Sequence, residues 1–224
     1  MNIFIVIAAF NEEKKIGSVL TELKNKGYKN IVVVDDGSTD KTFRISEKHN
    51  AFVLRHVINR GQGAALKTGI DFALTKNANI IVTFDADGQF VVDEIKKVIT
   101  PIKKKNVDIV LGSRFMGKAV NIPILKKIVL KLGIFVVYFL YGISITDSQC
   151  GFRAMSNYAA KKIRLTSDRM EHAGEFFWEI EKNKLKYKEV PITVIYDNYS
   201  IKKGQNWLRS IELGTKMLLK RFFM

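Results

Sequence analysis

The sequence predicts an α/β fold: a Rossmann-like, mostly parallel sheet with helices on both faces. Three observations carry this. Apolar runs of strand length show no polar alternation, helical patterns separate them, and polar residues gather where each run ends. Such runs are strands buried on both faces, as in a parallel sheet covered by its crossover helices. In these sheets, ligands bind beyond the carboxyl ends of the strands.

The first half supplies five such strands. Ile3 to Phe10 (IFIVIAAF) is the first, followed by a helix pattern from about Glu12 to Lys26. NIVVVDDGS is the second and ends in acids, with a helix from about Thr39 to Asn50. AFVLRHV is the third, and GQGAALKTGIDFAL reads as a helix of small and apolar residues. NIIVTFDADG is the fourth, and the helix DEIKKVITPIKKK follows, its start favoured by Asp93 and Glu94. VDIVLGSRF is the fifth. The second half is less regular: a basic, apolar segment, then TDSQCGFRAM, a helical stretch, a strand YKEVPITVIYDNYS and a terminal helix.

At 224 residues the chain is expected to be one domain (1–224), with 1–117 as the ligand-binding half and 118–224 as the half that carries the membrane-interface segments. With 47% hydrophobic and 26% charged residues, disorder is not expected. The one cysteine, Cys150, excludes an internal disulfide and points to a reducing compartment. With three scattered histidines, it also argues against a structural zinc site. The N-terminus enters a strand directly and has no signal-peptide pattern.

A net charge of +15 fits nucleic acid, an anionic membrane or a phosphorylated substrate. ILKKIVLKLG interleaves lysines with apolar residues at helical spacing, and GIFVVYFLYGISI follows it. The apolar part is shorter than the roughly 20 residues needed to cross a bilayer. Together they suggest an amphipathic helix in a membrane interface, and the C-terminal WLRSIELGTKMLLKRFFM has the same character. A core helix is the plain alternative for each. The expected location is the cytoplasmic face of a membrane, held peripherally, or the cytoplasm.

The chemistry gathers at the strand ends. Asp85 and Asp87 point the same way on an extended chain, with Gln89 one step further. A turn or a solvated strand end would explain them, but like charges held together favour a cation between them. Hard oxygen donors without a soft ligand suit Mg²⁺ or Mn²⁺, with Ala86 and Gly88 leaving room for substrate phosphates. Asp35 or Asp36 can accept from a ribose hydroxyl or a base N–H. Asp36-Gly37 also makes a turn, and Ser38 or Thr39 caps the next helix. Asn59, Arg60 and Arg114 complete the polar rim. RGQGAALKTG has neither the lysine-serine/threonine pair of a P-loop nor the glycine pattern of a dinucleotide fingerprint.

AAFNEE, VDDGSTD, NRGQGAALKTG, FDADGQ, GSRF and DSQCGFR occur in the order found in family 2 glycosyltransferases of the GT-A fold. The chain resembles most the polyprenyl (dolichyl) phosphate mannose and glucose synthase branch, over about Ile3 to Arg153. The resemblance implies a donor site of Ala8, Phe10, Glu12, Asp35, Asp36, Arg60, Asp85, Ala86 and Lys203. Lys202 is the other choice for the late lysine. Asp85, Asp87 and Gln89 would hold the metal, and Gln149 and Gly151 would line the acceptor side. Asp87, Arg114, Arg153 and Glu171 would serve catalysis. The first motif departs from the family in having Ala8-Ala9 where proline is usual. Relatives often carry transmembrane helices after this domain; the present chain ends at Met224 without one, so membrane contact is expected to be peripheral.

The implied reaction inverts the anomeric carbon while the metal and the cations neutralise the departing nucleoside diphosphate. A lipid phosphate acceptor is already anionic and needs no base. A glycan hydroxyl, the alternative acceptor, needs one, and Asp147, Glu171, His172 and Glu175 are candidates. A basic nucleic-acid-binding module is the non-enzymatic alternative. It is disfavoured because the aromatics lie in apolar runs and the rim is acidic.

Overall fold

The computed structural model describes residues 1–203. Strands β1 (Ile3–Ala9), β2 (Asn30–Asp35), β3 (Phe52–Arg55), β4 (Ile80–Asp85), β5 (Ile109–Val120), β6 (Arg153–Ser156) and β7 (Tyr187–Ile195) form one seven-stranded sheet in the order β3-β2-β1-β4-β6-β5-β7. β6 is antiparallel to both its neighbours, and the remaining pairs are parallel. The helices are α1 (Ile16–Asn25), α2 (Thr42–Lys48), α3 (Gln62–Thr75), α4 (Ile95–Lys103), α5 (Ile124–Tyr141), α6 (Asn157–Lys162), α7 (His172–Lys182) and α8 (Asn198–Lys203).

Alternation along β1 sorts its side chains into two cores. Ile5 and Ile7 face Ile16, Leu20 and Leu23 of α1 and Ile95, Val98 and Ile99 of α4. Phe4 and Val6 face Ala65 and Ile70 of α3, Val137 of α5 and Phe176 of α7. The expected α/β architecture with helices on both faces is therefore present. Its rigid centre delivers the ends of β1 and β4 side by side, with Ala8 in register with both Val34 and Asp85.

Several expectations need correction. α1 begins at Ile16, not near Glu12; the Glu12 carbonyl accepts from Lys15 N and Ile16 N in a turn that keeps Glu12 outside the helix. α2 is likewise shorter, because Asp40 holds both the backbone N–H and the hydroxyl of Thr42. The fifth strand runs on to Val120, so Arg114 lies within β5 and not after it. The TDSQCGFRAM region, for which the sequence predicts no strand, supplies β6, which lies between β4 and β5 and pairs antiparallel with both. The late strand ends at Ile195, and Asn198 to Lys203 is helical. The amphipathic C-terminal helix expected from Trp207 onward lies outside the described residues.

Among the described residues, none covers an apolar stripe of α5. Ile124, Ile128, Leu132, Phe135 and Phe139 follow helical spacing and are all exposed, Phe139 by 80%. Lys127 and Lys131 are exposed on the same helix, and Leu130, Val137 and Leu140 anchor its opposite side. No helix among the described residues is long and apolar enough to cross a membrane.

Candidate active site

A cleft of ≈ 830 Å³ opens at the carboxyl ends of β1 and β4. Asp85 closes β4, and the chain turns immediately afterwards, with Gly88 at φ 76°. Asp87 and Gln89 thus reach the cleft from a turn, not from the continuing strand that alternation suggested. Asp87 Oδ1 accepts from Gln89 N at 3.0 Å, and Gln62 Nε2 donates to Asp85 Oδ1 at 3.5 Å.

Burial and the neighbouring Asp87 push the Asp85 carboxyl up to about 7, against the pull of Arg114 and Arg153. Burial, aided by Glu12, raises Asp87 to about 6, while the Gln89 N–H, Lys126 and Lys203 pull it down. Burial is the main cause of both shifts, and a cation between the two carboxylates would favour their ionised forms. Among the described residues the side-chain nitrogen of Gln89 is buried without a partner; as a donor it can meet a phosphate oxygen, whereas only the amide oxygen can meet a cation. No group of three or more His, Cys, Asp and Glu side chains among the described residues is placed to hold a metal. The carboxylates of Asp85 and Asp87, with the amide oxygen of Gln89, line one cleft and as hard oxygen donors fit a divalent ion that takes the rest of its shell from phosphate and water.

The cations are arranged around this pair. Arg114 is buried; its Nε donates to Asp147 Oδ2 at 2.6 Å, its Nη2 to the Gln149 carbonyl at 3.0 Å, and its Nη1 to the Tyr196 hydroxyl. Burial lowers its pKa, but the Asp147 carboxylate overrides that and holds it above the ordinary arginine value. Arg153 is also buried, with Nε bonded to the Cys150 carbonyl and its guanidinium 4.2 Å from the Phe176 ring centre. Burial drops it to about 10, so it stays charged at neutral pH. Lys126, which sequence reasoning missed, stands 4.8 Å from the Tyr196 ring centre and lines the cleft. Burial and then Arg114 lower its pKa. In sequence it is one lysine of an amphipathic helix; only the fold turns it inward.

The remaining expected residues separate into two groups. Ala8, Phe10, Glu12, Asp36, Ala86, Gln149, Gly151 and Lys203 line the cleft with Asp85, Asp87, Gln89, Arg114 and Arg153. Asp35, Arg60 and Glu171 do not. Asp35 is fully buried, accepting from Ser38 N and paired with Arg55 at 3.1 Å. Arg60 makes a forked contact with Asp168, at 3.0 Å for the closest pair of atoms. Glu171 is the residue before α7, whose neighbours Met170, His172 and Ala173 line the wall instead. Asp36 reaches the cleft, but its oxygens accept from His56 Nδ1, Arg60 N and Gly61 N, which ties down the loop before α3. Lys203 crosses from α8 to the β1–α1 turn, donating to the Phe10 and Asn11 carbonyls and pairing with Glu12 at 2.7 Å. Tyr199 donates to the same carboxylate at 2.9 Å.

Two of the candidate bases, Asp147 and Glu175, are fully engaged, and a third, His172, is engaged through one ring nitrogen. Glu175 accepts from the backbone N–H and hydroxyl of both Thr166 and Ser167. Asp147 holds Arg114, and His172 Nδ1 lies 2.7 Å from the Arg169 carbonyl.

Comparison with known proteins gives a consistent result. An uncharacterised protein of Methanocaldococcus jannaschii is 47% identical over 99% of this chain and 93% of its own length. A UDP-N-acetylglucosamine–dolichyl-phosphate N-acetylglucosaminyltransferase of Methanococcus voltae is 38% identical over 97% of this chain and 95% of its own. The fold matches glucosyl-3-phosphoglycerate synthase of Mycobacterium tuberculosis, solved with Mn²⁺ and UDP, with a TM-score of 0.73. That match spans 98% of this chain and 79% of the other at 16% identity. The family model described as glycosyl transferase family 2 matches residues 4–164, so the chain belongs to that family, on the polyprenyl-phosphate sugar transferase branch, and has its GT-A fold.

Proposed function

We propose that the protein transfers a hexose from a UDP- or GDP-linked donor to a polyprenyl phosphate at a membrane surface, with inversion at the anomeric carbon. One observation carries this reading. The cleft sets Arg114, Arg153, Lys126 and Lys203 around an acid pair, while Asp147 and Glu175 are bound to other protein groups, burial pushes the His172 ring down to about 4 and leaves it a weak base, and Glu171 lies off the cleft wall. That arrangement suits an acceptor that arrives already anionic, and it offers no ready base for a hydroxyl. The name of the Methanococcus voltae relative supports the same acceptor class and makes UDP-N-acetylglucosamine the first donor to try.

In this mechanism Asp85, Asp87 and the Gln89 amide would hold Mg²⁺ or Mn²⁺, which supplies Lewis-acid charge to the donor diphosphate. Residues 1–117 would bind the donor, and the part from 118 onward the acceptor. Lys126 and Arg153 would screen the two phosphates from one another. An acceptor phosphate oxygen forms the new bond to the anomeric carbon as the bond to the diphosphate oxygen breaks. No proton has to move, and the field of Arg114 opposes charge gathering on the leaving group. The exposed stripe of α5, flanked by Lys127 and Lys131, would rest in the lipid interface and keep the cleft beside the polyprenyl head group. This is peripheral contact, on the cytoplasmic face.

The test is incubation with labelled UDP-N-acetylglucosamine, UDP-glucose or GDP-mannose, Mn²⁺ and polyprenyl phosphate in vesicles. Label should enter the organic phase from one of the donors. Label that reaches only a soluble glycan would overturn the acceptor assignment.

A further inference from the structure

His172 opens α7 and is buried apart from its place in the cleft wall. Its Nδ1 sits 2.7 Å from the Arg169 carbonyl oxygen, and a carbonyl only accepts. Nδ1 therefore carries a proton. Burial, followed by the Arg153 guanidinium, pushes the ring down to about 4, so it is neutral at pH 7. A neutral imidazole protonated at Nδ1 presents a bare lone pair at Nε2. Among the described residues nothing bonds to Nε2, and the residue lines the cleft. The ring is also held in place. A Cβ at Gly63 of α3 would come within 2.9 Å of both the His172 Cβ and the Arg169 carbonyl oxygen, so these elements are in close contact.

We infer that His172 Nε2 accepts a hydrogen bond from a hydroxyl or amide N–H of the sugar being transferred, and so helps to select the donor sugar. The inference rests on the proposed reading of the cleft as a nucleotide-sugar site. A fully ionised phosphate is a poor partner, because its oxygens only accept and a lone pair repels them. Position points the same way. His172 and Arg153 line the same cleft as Asp85 and Asp87, so a sugar joined to a diphosphate at the acid pair can extend towards the ring. A buried site that accepts from a sugar O–H or N–H discriminates against sugars that cannot donate there.

The experiment is titration of UDP, UDP-N-acetylglucosamine, UDP-glucose, GDP and GDP-mannose, each with Mn²⁺, into wild type, His172→Leu and His172→Gln. The reading is the affinity gained by adding the sugar to its nucleotide. Leucine removes the acceptor, whereas glutamine can offer Oε1 in its place. For the sugar that wild type prefers, His172→Leu should lose about tenfold of that gain while nucleotide affinity holds. His172→Gln should recover part of it. An unchanged gain in His172→Leu overturns the inference, as does equal loss in both variants. Loss of nucleotide binding in both also overturns it, since the ring would then be a packing residue. Wild type that binds nucleotides but none of the sugars overturns it too, and wild type that binds neither removes the parent reading.

Discussion

Arg114 and Asp147 form an ion pair in which both side chains are nearly sealed from solvent, with Nε 2.6 Å from Oδ2. Asp147 Oδ2 also accepts from the Arg114 backbone N–H, so one carboxylate fixes both the strand and its side chain. With Nη1 on Tyr196 and Nη2 on Gln149, each guanidinium nitrogen has a protein partner. Arg114 thereby stands as a fixed charge beside the acid pair.

Removal of that counter-charge should be severe. Asp147→Asn leaves a buried guanidinium uncompensated, a change worth about 3 kcal/mol or more. Tyr196→Phe removes a neutral partner and should cost about 1 kcal/mol. Urea unfolding of the two variants checks this order. Equal stabilities would show that the charge is balanced from elsewhere.

The same pair shows what the sequence makes legible. β1 to β5 can be read because each carries an apolar run, and the rim follows from the parallel-sheet rule. β6 cannot, since it has only four residues, begins with Arg153 and takes its identity from β4 and β5 across the fold. Arg60 reads as a phosphate ligand until Asp168, distant in sequence, is brought to it. Glu175 reads as a base until its four hydrogen bonds to Thr166 and Ser167 are seen. Residue type is written in the sequence, whereas the partner that commits a side chain to structure or to chemistry is set by the fold.

Gly151 lies directly against the acid pair. A Cβ there would lie 2.8 Å from Asp85 Oδ1 and 3.1 Å from Oδ2. Gly151→Ala should turn the carboxylate away and weaken Mn²⁺-dependent nucleotide binding by at least about tenfold, with stability changed by about 1 kcal/mol. Calorimetric titration with thermal melting separates the two effects. Binding at wild-type strength would mean that Asp85 is not a ligand in this orientation.

The acid pair also fixes a pH dependence. Both carboxyls are raised in the folded chain, Asp85 to about 7 and Asp87 to about 6, against about 4 when unfolded. Between those values the folded state binds more protons, so the stabilisation is complete below about pH 4 and is lost as pH rises through 6 and 7. Metal-free protein should melt at a lower temperature at pH 7.5 than at pH 5.5. Mn²⁺ should restore the loss at pH 7.5, and Asp85→Asn should flatten the profile. A metal-free melting temperature that rises over this range would contradict the shifts.

The exposed stripe of α5 gives the last test. Phe135 and Phe139 are 73% and 80% exposed, so changing them leaves the core intact. Burial of each in a lipid interface would contribute about 2 kcal/mol. Phe135→Asp with Phe139→Asp should therefore lower affinity for anionic vesicles by more than a hundredfold, with an unchanged melting temperature. Transfer to a short, water-soluble polyprenyl phosphate should survive, while transfer to long-chain acceptor in vesicles falls. Raised salt should weaken wild-type binding less than these substitutions do, because Lys127 and Lys131 add only a screened attraction. Equal vesicle binding by wild type and the double variant would remove α5 from the membrane and leave the stripe without its proposed occupant.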